Sequence, residues 1–559
     1  MKSKDTFKIN EVILGSESTQ WRGLDESQWH RAIDHMVERL RPLGSAGTRF
    51  LLGFGANSIL DLLTRAAAAH LGFVPVTVNW QADTAEVLEY KARKTKSQFM
   101  VMHSSCPSAL RDLVERGEIK LDVLKVEQSM LEASDDSLKQ NSGPKTGAAM
   151  TLFTSGTTGA PKGVELSHEG YDANLRIFES FLGLQQGEPT RVVLVNPLHH
   201  ANSTSMANWA LRYPGAELFV LSHYGTGYWD ALAQIVEGFQ GRVVAPLVAR
   251  HFEFLDNLIE SGRLKLSDAH RHALSRTEFL VGSAPVGPQT VERFKRLTGG
   301  LPRVRFGSTE LCLQALGIPK EMSEENILSS LKCGWDHAYE GKPLAGYYIG
   351  CPHEPMTRAQ VVRSVVSSDS DFMQPVLEGE PGLLVVESDA AMLGYVDDPA
   401  ATRAVREGAW YLGLGDVVFY LTNQDTGARD YYWVSRSAGL MIRGGANYSC
   451  VQVETELREF CVTFLKWPVD GFDLAVVGHK LGSEHEDACC VLLELGPSME
   501  KGPEVYAQEL MHEAPGKVSK GAKPDHIAFG EVPRNFKGAT VRPDVRAYFE
   551  NCFQDSPIN

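Results

Sequence analysis

The chain has 559 residues, 43% hydrophobic and 22% charged, and its 55 basic against 70 acidic side chains leave a net charge of −15. That length suits three or four domains at ~150 residues each, or one large and one small domain, and buries a core without disulfides or structural metal. The acidic balance argues against a nucleic-acid partner, which wants a basic face, but leaves room for a local basic pocket around an anionic ligand.

The first residues, MKSKDTFKIN, lack the apolar core of a signal peptide. A strand is predicted at 49–54 (RFLLGF), a helix at 57–71 and a strand at 74–78. The apolar run 58–79 contains Asp61, Arg65 and His70, and is too polar to span a bilayer. Further strands are predicted at 99–102, 149–153, 191–195, 217–221 and 242–245, each near a helical stretch. This alternation predicts an α/β fold of layered, largely parallel sheets. After residue 436 the texture changes to a short strand, a helix at 451–460, strands at 473–478 and 489–495, and a helix at 504–513. Residues 1–435 therefore read as a large domain and 436–559 as a smaller α+β domain, joined at the Gly-rich stretch SRSAGLMIRGG, with a hinge near Gly439. Nine scattered cysteines, with no CxxC pair and no zinc spacing, suggest reduced thiols and a cytoplasmic setting.

The densest chemistry lies at Thr154-Ser155-Gly156-Thr157-Thr158-Gly159-Ala160-Pro161-Lys162-Gly163. Three glycines let the backbone turn tightly and approach a ligand closely. Exposed N–H groups in such a loop form an anion cradle, four hydroxyls add donors, and Lys162 supplies a mobile charge for a phosphate tail. Ala160 and Pro161 separate Gly159 from Lys162, so the loop is not a Walker A motif.

At these residues the chain resembles the adenylate-forming superfamily of acyl-CoA synthetases, luciferases and peptide-synthetase adenylation domains. Phe306-Gly307-Ser308-Thr309-Glu310 is similar to the family's aromatic-Gly-x-Thr-Glu motif. The resemblance implies that Glu310 holds Mg²⁺, that Thr309 touches the α-phosphate, and that the preceding backbone lies against adenine. Gly282-Ser283-Ala284-Pro285 resembles the turn lining the acyl and adenine pockets. In Asn196-Pro197-Leu198-His199-His200 the residue matching the family's substrate-side histidine is His200. The run HHANSTSMANW has no acid, which disfavours an amino-acid substrate. The implied acyl pocket takes in His199, His200, Trp209, Gly282 and Cys312, a mix hinting at a small polar or aromatic acid. Glu380-Pro381-Gly382 and Met392-Leu393-Gly394-Tyr395 match segments that are mostly scaffold. Asp416 stands where the family binds ribose, although Leu414 replaces the usual Thr, and Arg436 matches the motif arginine. Arg443-Gly444-Gly445 onward resembles the loop that lines the CoA tunnel, with Gly445 on it, while Gly439 occupies the family's hinge position.

The family's C-terminal loop carries a catalytic lysine after a glycine. Aligning Pro533 and Gly538 puts Ala539 at that position. Alanine offers no charge to a developing anion, and losing one such donor costs on the order of 10²–10³ in rate. Three readings stay open: a lysine replaced by alanine to inactivate the chain, Lys537 acting from ~6.5 Å along the loop, or a nucleotide-binding pseudoenzyme. The resemblance implies ATP, Mg²⁺ and CoA, and conversion of a small carboxylic acid to acyl-adenylate and then thioester. A carrier-protein thiol as acceptor and a luciferase-like oxidation are the alternatives. The oligomeric state is not implied.

Overall fold

The computed structural model describes residues 8–15, 19–132, 147–154, 161–185, 187–283, 285–436, 439–443, 446–479, 481, 487–519, 521–534 and 540–555. Phe50, Leu51 and Leu52 are all buried, so the strand Arg49–Gly53 has no solvent face, as a strand covered by helices on both sides requires. Ser58 then caps the helix Ile59–Leu71, its hydroxyl accepting from the Leu60 amide at 3.1 Å. Gly72 ends that helix at φ 67°, a left-handed stop that costs glycine nothing. The chain returns to strand at Val74–Thr77.

Repeats of this unit build a seven-stranded sheet. Its order is Gly394–Tyr395, Lys162–Ser167, Ala148–Thr154, Val74–Thr77, Arg49–Gly53, Phe99–His103 and Asp122–Val126. Pairing is parallel from Ala148–Thr154 onward and antiparallel at the other end. A second sheet has fifteen strands. Lys8–Leu14, Ala216–Leu221, Thr190–Leu194, Arg242–Val248, Thr277–Gly282 and Arg303–Phe306 form its parallel part. Beyond Leu316–Gly317 it turns antiparallel, through Tyr347–Pro352, Arg429–Arg436, Asp416–Thr422 and Gly382–Ser388. The α/β expectation holds, but "largely parallel" describes only part of each sheet. Asp416–Thr422 and Arg429–Arg436 are joined by a tight turn, closed by Gly427 N–H to the Asn423 carbonyl at 2.8 Å. A connection that short can only reverse the chain.

The helices Glu26–Leu40, Ile59–Leu71, His168–Leu182 and Ala201–Ala210 fill the space between the two sheets. There Phe50, Leu63, Phe178, Leu194, Trp209 and Val244 share one core. Tyr228–Val236, Ala249–Glu260, Asp268–Arg276 and Pro288–Thr298 cover the outer face of the longer sheet. Ala85–Thr95 and Ser108–Glu115 cover that of the shorter one. The result is five alternating layers, each burying its apolar face against the next.

A smaller domain at the C-terminal end has its own sheet, Phe472–His479, Ala488–Leu495 and His526–Phe529. Leu474 and Val476 pack with Cys489 and Val491 against the helices Cys450–Thr463 and Pro503–Glu513. The alternate residues Ala475, Val477, Cys490 and Leu492 pack against Val545 and Phe549 of the helix Arg542–Asp555. This is the period-two signature of a sheet covered on both faces. Gln452 Nε2 reaches the large domain, donating to the Ala345 carbonyl at 2.6 Å. All nine cysteines are free. No helix of the described residues is long and apolar enough to cross a membrane.

Candidate active site

Several motif segments leave the carboxyl ends of parallel strands. His199 and His200 follow Thr190–Leu194, Ser283 and Pro285 follow Thr277–Gly282, and residues 307–310 follow Arg303–Phe306. In open parallel sheets that edge is where ligands bind, because loops and unpaired strand ends form a crevice there.

The phosphate-loop segment is the connection of a β-hairpin. Ala148–Thr154 pairs antiparallel with Lys162–Ser167, and Thr154 sits opposite Lys162 in the register. The Thr154 hydroxyl donates to the Lys162 carbonyl at 3.5 Å. Ser155, Gly156, Thr157, Thr158 and Gly159 lie outside the described residues. Lys162 Nζ stands 4.9 Å from the centre of the Tyr395 ring, a cation–π contact. Tyr395 is held there by backbone pairing of Gly394–Tyr395 with Glu165 and Val164. Its hydroxyl donates to Glu310 Oε1 at 3.1 Å and lies 3.2 Å from the Tyr411 hydroxyl. Burial, and then the Glu310 charge, hold the Tyr395 phenol well above its usual range, so it stays a donor. The Met392 amide donates to the Glu310 carbonyl at 2.7 Å. Three segments distant in sequence therefore meet as cation, ring and carboxylate.

Glu310 lies in the 3₁₀ turn Thr309–Leu311. The chain folds back sharply here, with Leu313 N–H to Ser308 O at 2.9 Å and Ala315 N–H to Phe306 O at 2.9 Å. A Cβ on Gly307 would fall 1.5 Å from the Leu313 carbonyl oxygen, so only glycine fits. The Ser308 hydroxyl is buried and finds no partner among the described residues.

Asp416 opens the strand Asp416–Thr422 at 1% exposure and accepts from Trp433 Nε1 at 2.7 Å. Arg436 is its direct cross-strand partner, so the two ribose-side residues predicted from sequence are neighbours in the ladder. Ser283 is exposed, with φ 68°. Ala284, Gly445 and Ala539 lie outside the described residues.

On the acyl side, His199 is buried, edge-on to Trp80 at 5.9 Å and 4.3 Å from the His200 ring. His200 is the residue before the helix Ala201–Ala210. Cys312 is buried, its thiol pushed up to about 12 by burial, and its carbonyl accepts from the Ser205 hydroxyl at 3.2 Å. Trp209 is fully buried between Phe178 and Tyr213, with centroid separations of 6.3 and 5.4 Å. Gly282 backs onto Arg305, whose carbonyl oxygen a Cβ there would meet at 2.8 Å. Spacing in the sequence did not single out Arg305, Asn202, Tyr411 or Trp433, and Tyr395 read as scaffold. Only proximity in three dimensions identifies them.

A family model described as AMP-binding enzyme matches residues 28–396. The chain belongs to this family, within the adenylate-forming superfamily. Relatives of this AMP-binding enzyme include the indoleacetate–CoA ligase of Aromatoleum aromaticum, 23% identical over 544 residues that cover 94% of this chain and 93% of that protein. The mitochondrial medium-chain acyl-CoA ligase ACSF2 of Homo sapiens is 24% identical over 577 residues, covering 94% and 83%. Among solved structures, ATP-bound MatB from Rhodopseudomonas palustris superposes with a TM-score of 0.73 at 18% identity, over 99% of this chain and 97% of that one. The o-succinylbenzoate CoA synthetase MenE of Bacillus subtilis, with ATP and magnesium, gives a TM-score of 0.70 at 18% identity over 95% and 96%. At that identity the structures establish the fold of this AMP-binding enzyme.

Proposed function

We propose that the chain activates a carboxylic acid with ATP and passes the acyl group to CoA. A carboxylate oxygen attacks the α-phosphorus, pyrophosphate leaves, and the CoA thiol then displaces AMP from the acyl-adenylate. The observation that carries this reading is the meeting of Lys162, Tyr395 and Glu310 beside a hairpin loop rich in glycine and hydroxyls. An ammonium, a carboxylate and a loop of glycines and hydroxyls suit a polyphosphate and the charge its reaction shifts. In this reading Lys162, Thr154 and residues 155–159 hold the β- and γ-phosphates, Thr309 touches the α-phosphate, and Asp416 and Arg436 hold the ribose. Ser283, Ala284, Pro285, Phe306, Gly307 and Ser308 frame the adenine. The buried Ser308 hydroxyl, without a partner among the described residues, suits such a contact. Glu310, a hard oxygen donor fixed by the Tyr395 hydroxyl, would hold Mg²⁺, which when bound neutralises phosphate charge. His199, His200, Trp209, Gly282 and Cys312 border the acyl group.

The large domain, residues 1–435, carries ATP and acid in this proposal. Residues 436–559 turn about Gly439 between the two steps and bring the Gly445 loop to CoA. A Cβ on Gly439 would meet Arg542 Cδ at 3.4 Å, an ordinary contact, so in this proposal its value as glycine lies in the rotation.

Ala539 favours a second reading, a nucleotide-binding protein without turnover. Carboxylate-dependent ATP–pyrophosphate exchange separates the two. Ala539→Lys is expected to raise exchange at least about tenfold, a floor beneath the donor-loss figure. Unchanged exchange together with its loss in Lys537→Ala would assign the role to Lys537. ATP binding with no exchange in either chain would leave the binding-protein reading.

A further inference from the structure

One deeply buried cation lies on the acyl side with no carboxylate beside it among the described residues. Arg305 is 5% exposed, on the strand Arg303–Phe306 that leads into the Gly307 turn. Its Nη2 donates to Oδ1 of Asn202. Its Nη1 is buried and has no partner among the described residues. Burial pushes the guanidinium down to about 9.

Other buried or half-buried cations of this protein are treated differently. Lys91, 2% exposed, has Asp83 at 2.5 Å. Arg65 holds Asp61 through Nε at 2.6 Å, and Arg542 holds Glu454 at 2.7 Å. Arg303, two residues from Arg305 on the same strand, pairs with Glu278. A buried charge without an opposite charge is costly, by several kcal/mol even after relaxation. An amide oxygen does not repay that, and the Phe178 ring, 5.9 Å from Arg305 Cζ, repays it only in part. Asn202 lies in the first turn of the helix Ala201–Ala210, whose amide end is itself positive. The helix therefore adds to the charge instead of offsetting it.

Glycines on both sides let the neighbouring strands pack closely against the arginine; a Cβ on Gly282 would fall 2.8 Å from the Arg305 carbonyl oxygen. Gly282, on the neighbouring parallel strand, would bring a Cβ to 3.5 Å from Arg305 Cγ. Gly317 is the cross-strand partner of Arg305 on the other side. Gln314 is buried near Gly317; one end of its amide bonds His353 and the other finds no partner among the described residues. The buried Arg305 Nη1 carries two N–H bonds without a partner among the described residues, the number one carboxylate group readily accepts.

We propose that Arg305 reads a second carboxylate on the acid substrate, so that the enzyme activates a dicarboxylic acid at one end while Arg305 holds the other. This rests on the acyl-activating function proposed above and narrows its substrate class. The contrast of interest is between an acid ending in carboxylate and one of the same length ending in methyl.

The test uses binding, so that position 539 does not enter. Non-reactive acyl-sulfamoyl adenosines with succinyl or glutaryl groups, and their butyryl and valeryl counterparts, are titrated calorimetrically into the full chain. The carboxylate-ended member of at least one pair is expected to bind at least about tenfold tighter, a charge-assisted hydrogen bond's worth. Arg305→Met is expected to abolish that preference while the methyl-ended analogues bind as well or better. The wild-type comparison stands even if Arg305→Met does not fold. Tight binding of all four probes without preference, or preference for the methyl-ended ones, overturns the role of Arg305 and leaves the acyl-activating function standing. Failure of every probe, with ATP also unbound, overturns both.

Discussion

The two ends of the candidate site solve opposite problems. At the nucleotide end most of the named groups hold one another, the Ser308 hydroxyl excepted. The Tyr395 hydroxyl links Glu310 to Tyr411, the Tyr395 ring carries Lys162, and Trp433 fixes Asp416. At the acyl end, Arg305 and Gln314 are buried with hydrogen-bonding capacity unspent among the described residues. Under the proposed function the nucleotide end is preorganised by the fold, which spares reorganisation when charge moves. Under the proposed role of Arg305, its unpartnered N–H groups are left for the acid to complete, which is how unpaired polar groups give discrimination.

The largest break in this contrast should come from Gly307→Ala. The added methyl collides with the Leu313 carbonyl, so the turn carrying Ser308, Thr309 and Glu310 must shift. A loss of about 3 kcal/mol in stability is expected from such overpacking, read as a lower thermal midpoint together with lost ATP binding. Retained binding at an unchanged midpoint would mean the turn yields easily.

Tyr395→Phe keeps the ring under Lys162 but removes the hydroxyl on Glu310. Outer partners of metal ligands are worth ~10–100-fold in metal affinity. A magnesium titration of ATP binding should therefore shift at least about tenfold, with little change at saturating magnesium. Trp433→Phe removes the donor to buried Asp416, and about 1–3 kcal/mol is expected for a buried carboxylate that loses a partner. ATP affinity should fall about tenfold or more, and an equal fall for 2′,3′-dideoxy-ATP would argue against a ribose contact.

Acid probes the other end. Burial lowers His353 to about 4, and its ring bonds Gln314. The unfolded chain takes up this proton near the ordinary histidine value while the folded chain resists until about 4. Stability from this group is therefore full above pH ~6.5 and falls as pH drops toward 4, by about 1 kcal/mol per pH unit. A thermal midpoint that falls with acid in wild type and less steeply in His353→Gln would locate the effect. The smallest effect is expected for Gly439→Ala. The Arg542 contact at 3.4 Å is ordinary van der Waals distance, so stability should move by no more than ~0.5 kcal/mol. A slowed thioester step at unchanged adenylation would place the hinge there.

The nucleotide end was legible in sequence because its residues come in short runs. Thr154 to Lys162 and Phe306 to Glu310 are contiguous, so spacing alone suggests a loop and a turn. Strands such as Arg49–Gly53 announced themselves as unbroken apolar runs. The antiparallel half of the long sheet was harder to see. Asp416–Thr422 and Arg429–Arg436 have mixed burial, and nothing local says which strand each will join.

Sequence by itself determined the layered α/β fold, the glycine- and hydroxyl-rich loop composition, the adenylate-forming family resemblance and the alanine at the lysine position, all of which are properties of contiguous residues. Tertiary structure alone decided that Tyr395 holds Glu310, that Trp433 holds Asp416, and that Arg305 is buried on Asn202 without a carboxylate among the described residues. Partners in these contacts lie between 17 and 103 residues apart. A buried group's cost or use depends on which distant atoms surround it, and that is settled only when the sheets and the helices between them pack.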